Sequence, residues 1–174
     1  MARTADPLAE AERFMAALDE KSAAVDSAIA GARAGIAQSA FAAYKKFSDA
    51  IADFDGFCIL IEYRIKKAPP GPARASLEAR LLTARTHAMS RMLTASIELI
   101  GGLASHKEFP LGAKEIFLRE FRSLYALNKA LSQEPYASQL GAETAPDVEL
   151  AEKILREIID KAPALLELTP AKPD

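Results

Sequence analysis

The side chain of this sequence best suited to take part in a reaction is a histidine on the polar face of a predicted helix. His87 follows Arg80 by seven residues and precedes Arg91 by four, and these helical spacings place all three residues on one side. An imidazole can attack phosphoryl phosphorus, and guanidinium groups can offset the charge of the phosphoryl group. His87, Arg80 and Arg91 are therefore candidate catalytic residues for phosphotransfer.

The short stretch around His87 resembles the active helix of histidine phosphotransfer domains. That resemblance implies a helical bundle in which His87 carries the phosphoryl group and the two arginines give electrostatic support. Those domains usually place Lys and Gly soon after the histidine, whereas Ser90 and Arg91 occupy that region here. A solvated histidine on a polar helix face explains the same residues, and we favour this interpretation.

Other catalytic and metal-binding arrangements are excluded by the residues that they require. The chain has two His and one Cys, too few for an ordinary zinc site. No Glu has a His three residues later, as di-iron carboxylate bundles need, and there is no Gly-x-Ser-x-Gly turn. We therefore expect no metal and no cofactor. The lone Cys58 is interpreted as a small buried hydrophobic residue.

The functional residues of this chain must lie on helices, because its composition favours helix. Of 174 residues, 36 are Ala and 20 are Leu, the residues that favour helix most strongly, and only two are Val. The composition therefore predicts an all-α fold. We expect an antiparallel four- or five-helix bundle with a long, Ala-rich, heptad-patterned segment at its N-terminus.

The strongest pattern is a heptad seam in that N-terminal segment. Apolar or small residues alternate at spacings of three and four over 8–36 and again over 44–65, separated by two steps of four through Ala40. A seam of this kind packs against another helix, so we predict self-association through 8–65. The predicted interaction residues on this seam are Leu8, Met15, Leu18, Val25, Ile29, Ile36, Tyr44, Phe47, Ile51 and Phe54.

Residues 7–66 form either one helix or two. Gly31 and Gly35 are the candidate break, and together they cost about 2 kcal/mol relative to Ala, but no Pro accompanies them. One continuous helix would be on the order of 90 Å long and would need a partner to cover it. A turn at Gly31–Gly35 would instead give a compact monomer. We favour the single long helix.

The rest of the chain predicts one helical-bundle domain over residues 7–162. Before it lies an N-terminal arm, 1–6, whose Asp6 caps the first helix. A Pro-rich elbow at 68–73 reverses the chain, and 163–174 form a short turn and a disordered tail. The helices expected after the elbow are 74–100, which returns along 40–66 and stops at Gly101–Gly102, then 113–132 and 146–162.

Charge is unevenly distributed, with a basic segment at 62–91 and an acidic one at 132–174. We favour contact between these segments within the fold over an anionic partner. Nucleic acid is not expected, because there is no binding motif and the pI is about 5.8. Charged residues interrupt every apolar stretch, so we expect no signal peptide, no membrane span and a cytoplasmic location.

The function that fits these patterns best is that of a non-catalytic binding, scaffold or regulatory protein, either a homodimer or bound to another protein. The first alternative is phosphotransfer through His87. The second is a sensor that binds a small molecule in an apolar cavity. The aromatic residues expected to line such a cavity are Tyr44, Phe47, Phe54, Phe57, Phe117, Phe121 and Tyr125.

Overall fold

The computed structural model of this chain describes residues 6–104 and 113–161. Side chains are described throughout these ranges except at 36–41, 102–104, 113 and 161. The described residues form helices and no strand, which confirms the all-α helical bundle. The elements are α1 (Pro7–Lys67), α2 (Pro72–Ala104), α3 (Ala113–Leu131), a 3₁₀ turn (Ala137–Gln139) and α4 (Ala145–Lys161).

The first helix begins where the sequence predicts. The Asp6 carboxylate accepts a hydrogen bond from the Leu8 backbone N–H at 3.0 Å, and Pro7 occupies the first helical position, where its missing N–H is harmless. Of the arm predicted at 1–6, only Asp6 lies within the described residues. The tail predicted at 163–174 lies outside them.

α1 runs from Pro7 to Lys67, yet it is sharply bent and its two ends meet. Arg64 Nη1 lies 3.2 Å from Glu10 Oε2, and Lys21 Nζ lies 2.5 Å from Asp53 Oδ2. In a straight helix Glu10 and Arg64 would be about 80 Å apart, at 1.5 Å per residue. The two halves of α1 therefore pack antiparallel against each other.

The reversal lies between Gly35 and Ala43. A Cβ added at Gly35 would be 3.1 Å from the Ala43 Cβ, whereas eight residues of straight helix span about 12 Å. The single helix predicted over 7–66, kinked or straight, matches the bounds of α1, but its straight form of about 90 Å was wrong, because the chain's own second half covers its first half. We call 7–35 the first arm and 43–67 the second arm.

The chain turns within the Pro-rich elbow predicted at 68–73, but α2 begins at Pro72, two residues earlier than expected. Residues 68–71 are not helical, and the Arg74 guanidinium donates a hydrogen bond to the Ala68 carbonyl at 3.2 Å. Arg85 Nη1 then lies 3.8 Å from Glu62 Oε2, so α2 returns along the second arm. Arg91 of α2 also pairs with Asp26 of the first arm.

The predicted stop at Gly101–Gly102 was wrong, since α2 continues through both glycines to Ala104. A glycine weakens a helix by about 1 kcal/mol but does not forbid it. The buried side chains of Leu99 and Ile100, just before the pair, anchor this turn of the helix. Burial in the core therefore outweighs the low helix propensity of the two glycines.

The contacts divide the chain into two compact units, Met1–Met92 and Leu93–Asp174, and α2 belongs to both. The single domain inferred from sequence stays a prediction. In the second unit, Asn128 Nδ2 donates to the Val148 carbonyl at 2.8 Å and so ties α3 to α4. The side chains that are almost completely buried in this unit include Leu93, Phe121, Leu124 and Leu131.

Candidate interaction surface

The structure leaves His87 exposed on α2, as its spacing predicts. Arg91, one of its two predicted supports, is engaged by the Asp26 carboxylate, and Arg80 is exposed. Among the described residues, none makes a hydrogen bond or ion pair with His87. Phosphotransfer through His87 thus gains no geometric support, because one of the two guanidiniums is already paired.

The heptad seam is mostly buried inside this chain. Leu8 and Ile51 are half-buried, and the Ile36 side chain lies outside the described residues. The other predicted interaction residues form the core between the arms, each at most 6% exposed: Met15, Leu18, Val25, Ile29, Tyr44, Phe47 and Phe54. The pattern correctly identified a packing surface, and the second arm covers it within the chain.

Contacts on both sides of the seam fix the rotation of the second arm about its own helix axis. The Phe14 and Phe57 rings meet edge to face with their centroids 5.6 Å apart, on the same side as the Lys21–Asp53 ion pair. On the other side, Glu62 faces Arg85 of α2. The second arm is therefore covered on three sides, and its remaining face points to solvent.

That remaining face is apolar at its centre. The exposed fractions of Ile59, Leu60 and Tyr63 are 58%, 36% and 53%. Gly56 lies one helical turn before them, and a Cβ built there would meet nothing within 4 Å. We call Gly56, Ile59, Leu60 and Tyr63 the outer patch. Neighbouring apolar side chains left in water are typical of interaction surfaces.

Charges of opposite sign flank the outer patch along the helix. Asp53 precedes it and Lys66 and Lys67 follow it, and all three are exposed. The Lys67 ammonium lies 4.2 Å from the centroid of the Tyr63 ring, and Lys67 lowers the pKa of the Tyr63 hydroxyl. Within the chain, Asp53 is paired with Lys21 and Lys66 with Glu62, so these flanking charges are already partly matched.

Sequence reasoning missed the outer patch. Its residues follow the same helical spacing as the seam but lie on the opposite face, as steps of three and four from Gly56 to Leu60 and Tyr63 show. Ile59 and Leu60 lie within an apolar run that also contains buried Cys58 and Ile61. The seam spacing puts Cys58 and Ile61 on the covered face, but only the packing of the arms shows that nothing covers Ile59 and Leu60.

A half-buried electrostatic cluster joins the second arm to α2. Burial raises the pKa of the Asp55 carboxyl, while Arg85 partly opposes the shift. Burial likewise raises the pKa of the Cys58 thiol to about 11. Cys58 is 0% exposed, as its interpretation as a core residue requires, and its thiol is protonated at neutral pH. The cluster supplies no nucleophile.

A groove of about 400 Å³ lies between α3 and α4. Leu155, Ile159 and Tyr125 give it apolar walls, and its charged lining residues are Lys129 and the ion pair of Arg156 with Glu152. Phe47, Phe54 and Phe121, which were expected to line a cavity, are buried core residues at 2% exposure or less. Of the residues predicted to line a cavity, Tyr125 lies among the described lining residues of this groove, and the others do not.

Two further kinds of feature, a membrane-spanning helix and a metal site, are absent from the described residues. None of the described helices has an apolar stretch long enough to cross a bilayer. Within residues 6–104 and 113–161, no group of three or more His, Cys, Asp or Glu is arranged to hold a metal. Comparison with protein-family models, curated proteins and solved structures gives no match. Any functional conclusion therefore rests on the geometry of this chain.

Proposed function

We propose that this chain is a non-catalytic helical-bundle protein that self-associates through its N-terminal segment, residues 8–65. The observation that supports this function is the outer patch, where three large apolar side chains lie in water on one helix face. Burying a side chain of this size stabilises a complex by roughly 1.5–3 kcal/mol. Covering Ile59 and Tyr63 with a partner thus contributes favourably to the free energy of association.

The contact proposed here lies in the segment inferred from the heptad pattern, but on the helix face opposite the seam. The seam itself is a poor test of association, because Leu18 is 1% exposed and Leu18→Asp would unfold the chain. Ile59 is 58% exposed, so a polar substitution there leaves the core intact. Variants of the outer patch therefore separate association from folding.

The test is the mass in solution, measured by light scattering over a range of protein concentrations. The monomer mass is 18.7 kDa, and we expect a rise toward about 37 kDa as concentration increases. Ile59→Ser should shift that rise to higher concentration. Leu150→Ser is the matched control, since Leu150 is 45% exposed on α4. A mass that stays at 18.7 kDa throughout, or an equal effect of both variants, would contradict the proposal.

A small-molecule sensor is the second candidate, and the groove between α3 and α4 is the observation that favours it. Its apolar walls and the Lys129 ammonium suit a small amphipathic carboxylate, which would compete with Glu152 for the Arg156 guanidinium. A ligand that binds the folded state raises the thermal midpoint of unfolding. Stabilisation by short-chain or aromatic carboxylates that Arg156→Gln abolishes would establish this function. His87→Gln should alter neither that stabilisation nor the mass, whereas a phosphotransfer protein would lose acid-labile phosphorylation by its cognate kinase in this variant.

A further inference from the structure

The groove between α3 and α4 lies next to the end of α4. Ile159, one of its lining residues, is two positions before Lys161, where α4 ends. Pro163 follows, and a proline both lacks the N–H that a continued helix needs and disfavours helix at the residue before it. The sequence therefore predicts that the chain leaves the direction of α4 beside the groove.

The sequence just after this point is apolar with a single charge. Residues 164–168, which we call the leucine segment, contain Leu165, Leu166 and Leu168, and their one charged residue is Glu167. Side chains two residues apart share one side of an extended chain, and those three apart share one side of a helix. Leu168 therefore has a second leucine on its side in either conformation, so the segment combines an apolar side with one carboxylate.

The groove offers the complementary groups. Its apolar walls are Tyr125, Leu155 and Ile159. Lys129 of α3 also lines it and is exposed, and among the residues that the structure describes, none forms an ion pair with its ammonium. Arg156, the other cation of the groove, is already paired with Glu152. Lys129 is therefore the cation best placed to receive a carboxylate that enters with apolar side chains.

We propose that the leucine segment binds the groove between α3 and α4 of its own chain, with the Glu167 carboxylate paired with the Lys129 ammonium. Its leucines then lie against the apolar walls. This contact is separate from the outer patch, so it neither requires self-association nor follows from it. A small amphipathic carboxylate would have to displace the segment, which would therefore act as an internal competitor for the groove.

The chain is long enough for this contact. Glu167 is six residues past Lys161, and six extended residues span up to about 20 Å. The groove that Ile159 and Lys129 both line has a volume of about 400 Å³, so its far side lies within that reach. A short tether also keeps the segment at an effective concentration of about millimolar beside the groove. A contact that would be weak between separate molecules therefore suffices within one chain.

The first experiment is carbodiimide coupling of the full chain, which joins a carboxylate to an amine in direct contact, followed by peptide mass spectrometry of the band that runs as a single chain. We expect a link between Glu167 and Lys129. The Lys21–Asp53 ion pair, at 2.5 Å, is the positive control. Lys153 is the negative control, because it is exposed on α4 near the same tether but is not among the described lining residues of the groove.

Two outcomes of the coupling would overturn the proposal. Equal linkage of Glu167 to Lys129 and to Lys153 would show that the segment is only tethered nearby. A Glu167–Lys129 link found only in the band of two joined chains would assign the contact to a second copy. Because the expected link is read on the single-chain band, a wild type that is always monomeric would contradict the proposed self-association and leave this test intact.

The second experiment tests the leucines and leaves both reacting groups in place. Leu166→Ser and Leu168→Ser together in one chain should lower the yield of the Glu167–Lys129 link at least about tenfold, since the apolar contact is lost. Ala171→Ser is the matched control outside the leucine segment, and its yield should equal that of the wild type. An unchanged circular dichroism spectrum would show that the double variant is folded. Undiminished linkage in that folded variant would overturn the proposal.

Discussion

Arg64 Nη1 lies 3.2 Å from Glu10 Oε2, so the two ends of α1 are joined by an ion pair. Lys21 and Asp53 form a second such pair closer to the reversal. Because the two arms pack on each other, the heptad seam stabilises this chain's own fold. The surface of the second arm that is left for a partner is the outer patch.

The close approach of the arms at Gly35 gives the first prediction. Gly35→Leu adds side-chain atoms where even a Cβ would be 3.1 Å from Ala43, and overpacking of this kind typically costs 1–3 kcal/mol. We expect a loss of that order, about 2 kcal/mol, in the free energy of unfolding, measured by urea titration with circular dichroism. Gly31→Ala should instead stabilise the chain by up to about 1 kcal/mol. Equal stability of Gly35→Leu and wild type would place the reversal elsewhere.

The sequence predicted the local structure of α1 well and its tertiary partner poorly. Asp6 and Pro7 mark the helix start through their own chemistry, which needs no information from distant residues. The seam residues Leu18 and Phe54, predicted to contact a second chain, are buried within this one. A heptad pattern, however, requires only that a helix packs on the seam, and it does not say which chain supplies that helix.

The outer patch was unpredictable for a related reason. Ile59 and Ile61 are chemically alike and two residues apart, yet one is 58% exposed and the other 0%. The seam spacing over 44–65 already places Ile61 on the seam and Ile59 off it; that no other element covers Ile59 follows only from the long-range contacts that orient the second arm, such as the Phe14–Phe57 contact and the Lys21–Asp53 ion pair. These long-range contacts leave no periodic signal in the sequence.

The buried carboxyl of Asp55 predicts a pH dependence of stability. Burial raises its pKa in the folded state above the unfolded value, so the folded chain binds this proton more tightly. The contribution of Asp55 to stability is therefore present below the unfolded pKa and is lost as pH rises through the folded pKa. Asp55→Asn should stabilise the chain at pH 7, and that gain should shrink to near zero below pH about 4.

The measurement for Asp55 is urea unfolding of wild type and variant at several pH values. Asp49→Asn is the control, since Asp49 is exposed and forms only a surface pair with Lys45 in the same helix. Its effect should stay within about 0.5 kcal/mol across the range. An Asp55→Asn variant less stable than wild type at pH 7 would show that attraction to Arg85 outweighs the effect of burial.

Cys58 should be unreactive in the folded protein. Its thiol is 0% exposed and has a pKa of about 11, so only about 0.1% is thiolate at pH 8. We expect modification by a water-soluble aromatic disulfide reagent to be at least a hundredfold slower in the native chain than in urea. Rapid native labelling that does not depend on urea would mean that the second arm opens readily from α2.

A buried hydrogen bond in the second unit gives the last prediction. Ser96 Oγ donates to Glu120 Oε2 at 3.1 Å, and the two residues are 0% and 2% exposed. Ser96→Ala removes a donor from a carboxylate that water barely reaches, which should cost about 1–3 kcal/mol in the free energy of unfolding. Ser132→Ala is the control, because exposed Ser132 donates only to the Asn128 carbonyl one turn earlier, and its loss should stay within about 0.5 kcal/mol. Equal, small effects of both substitutions would show that other donors already satisfy Glu120, and that this bond between α2 and α3 adds little to the stability of the unit.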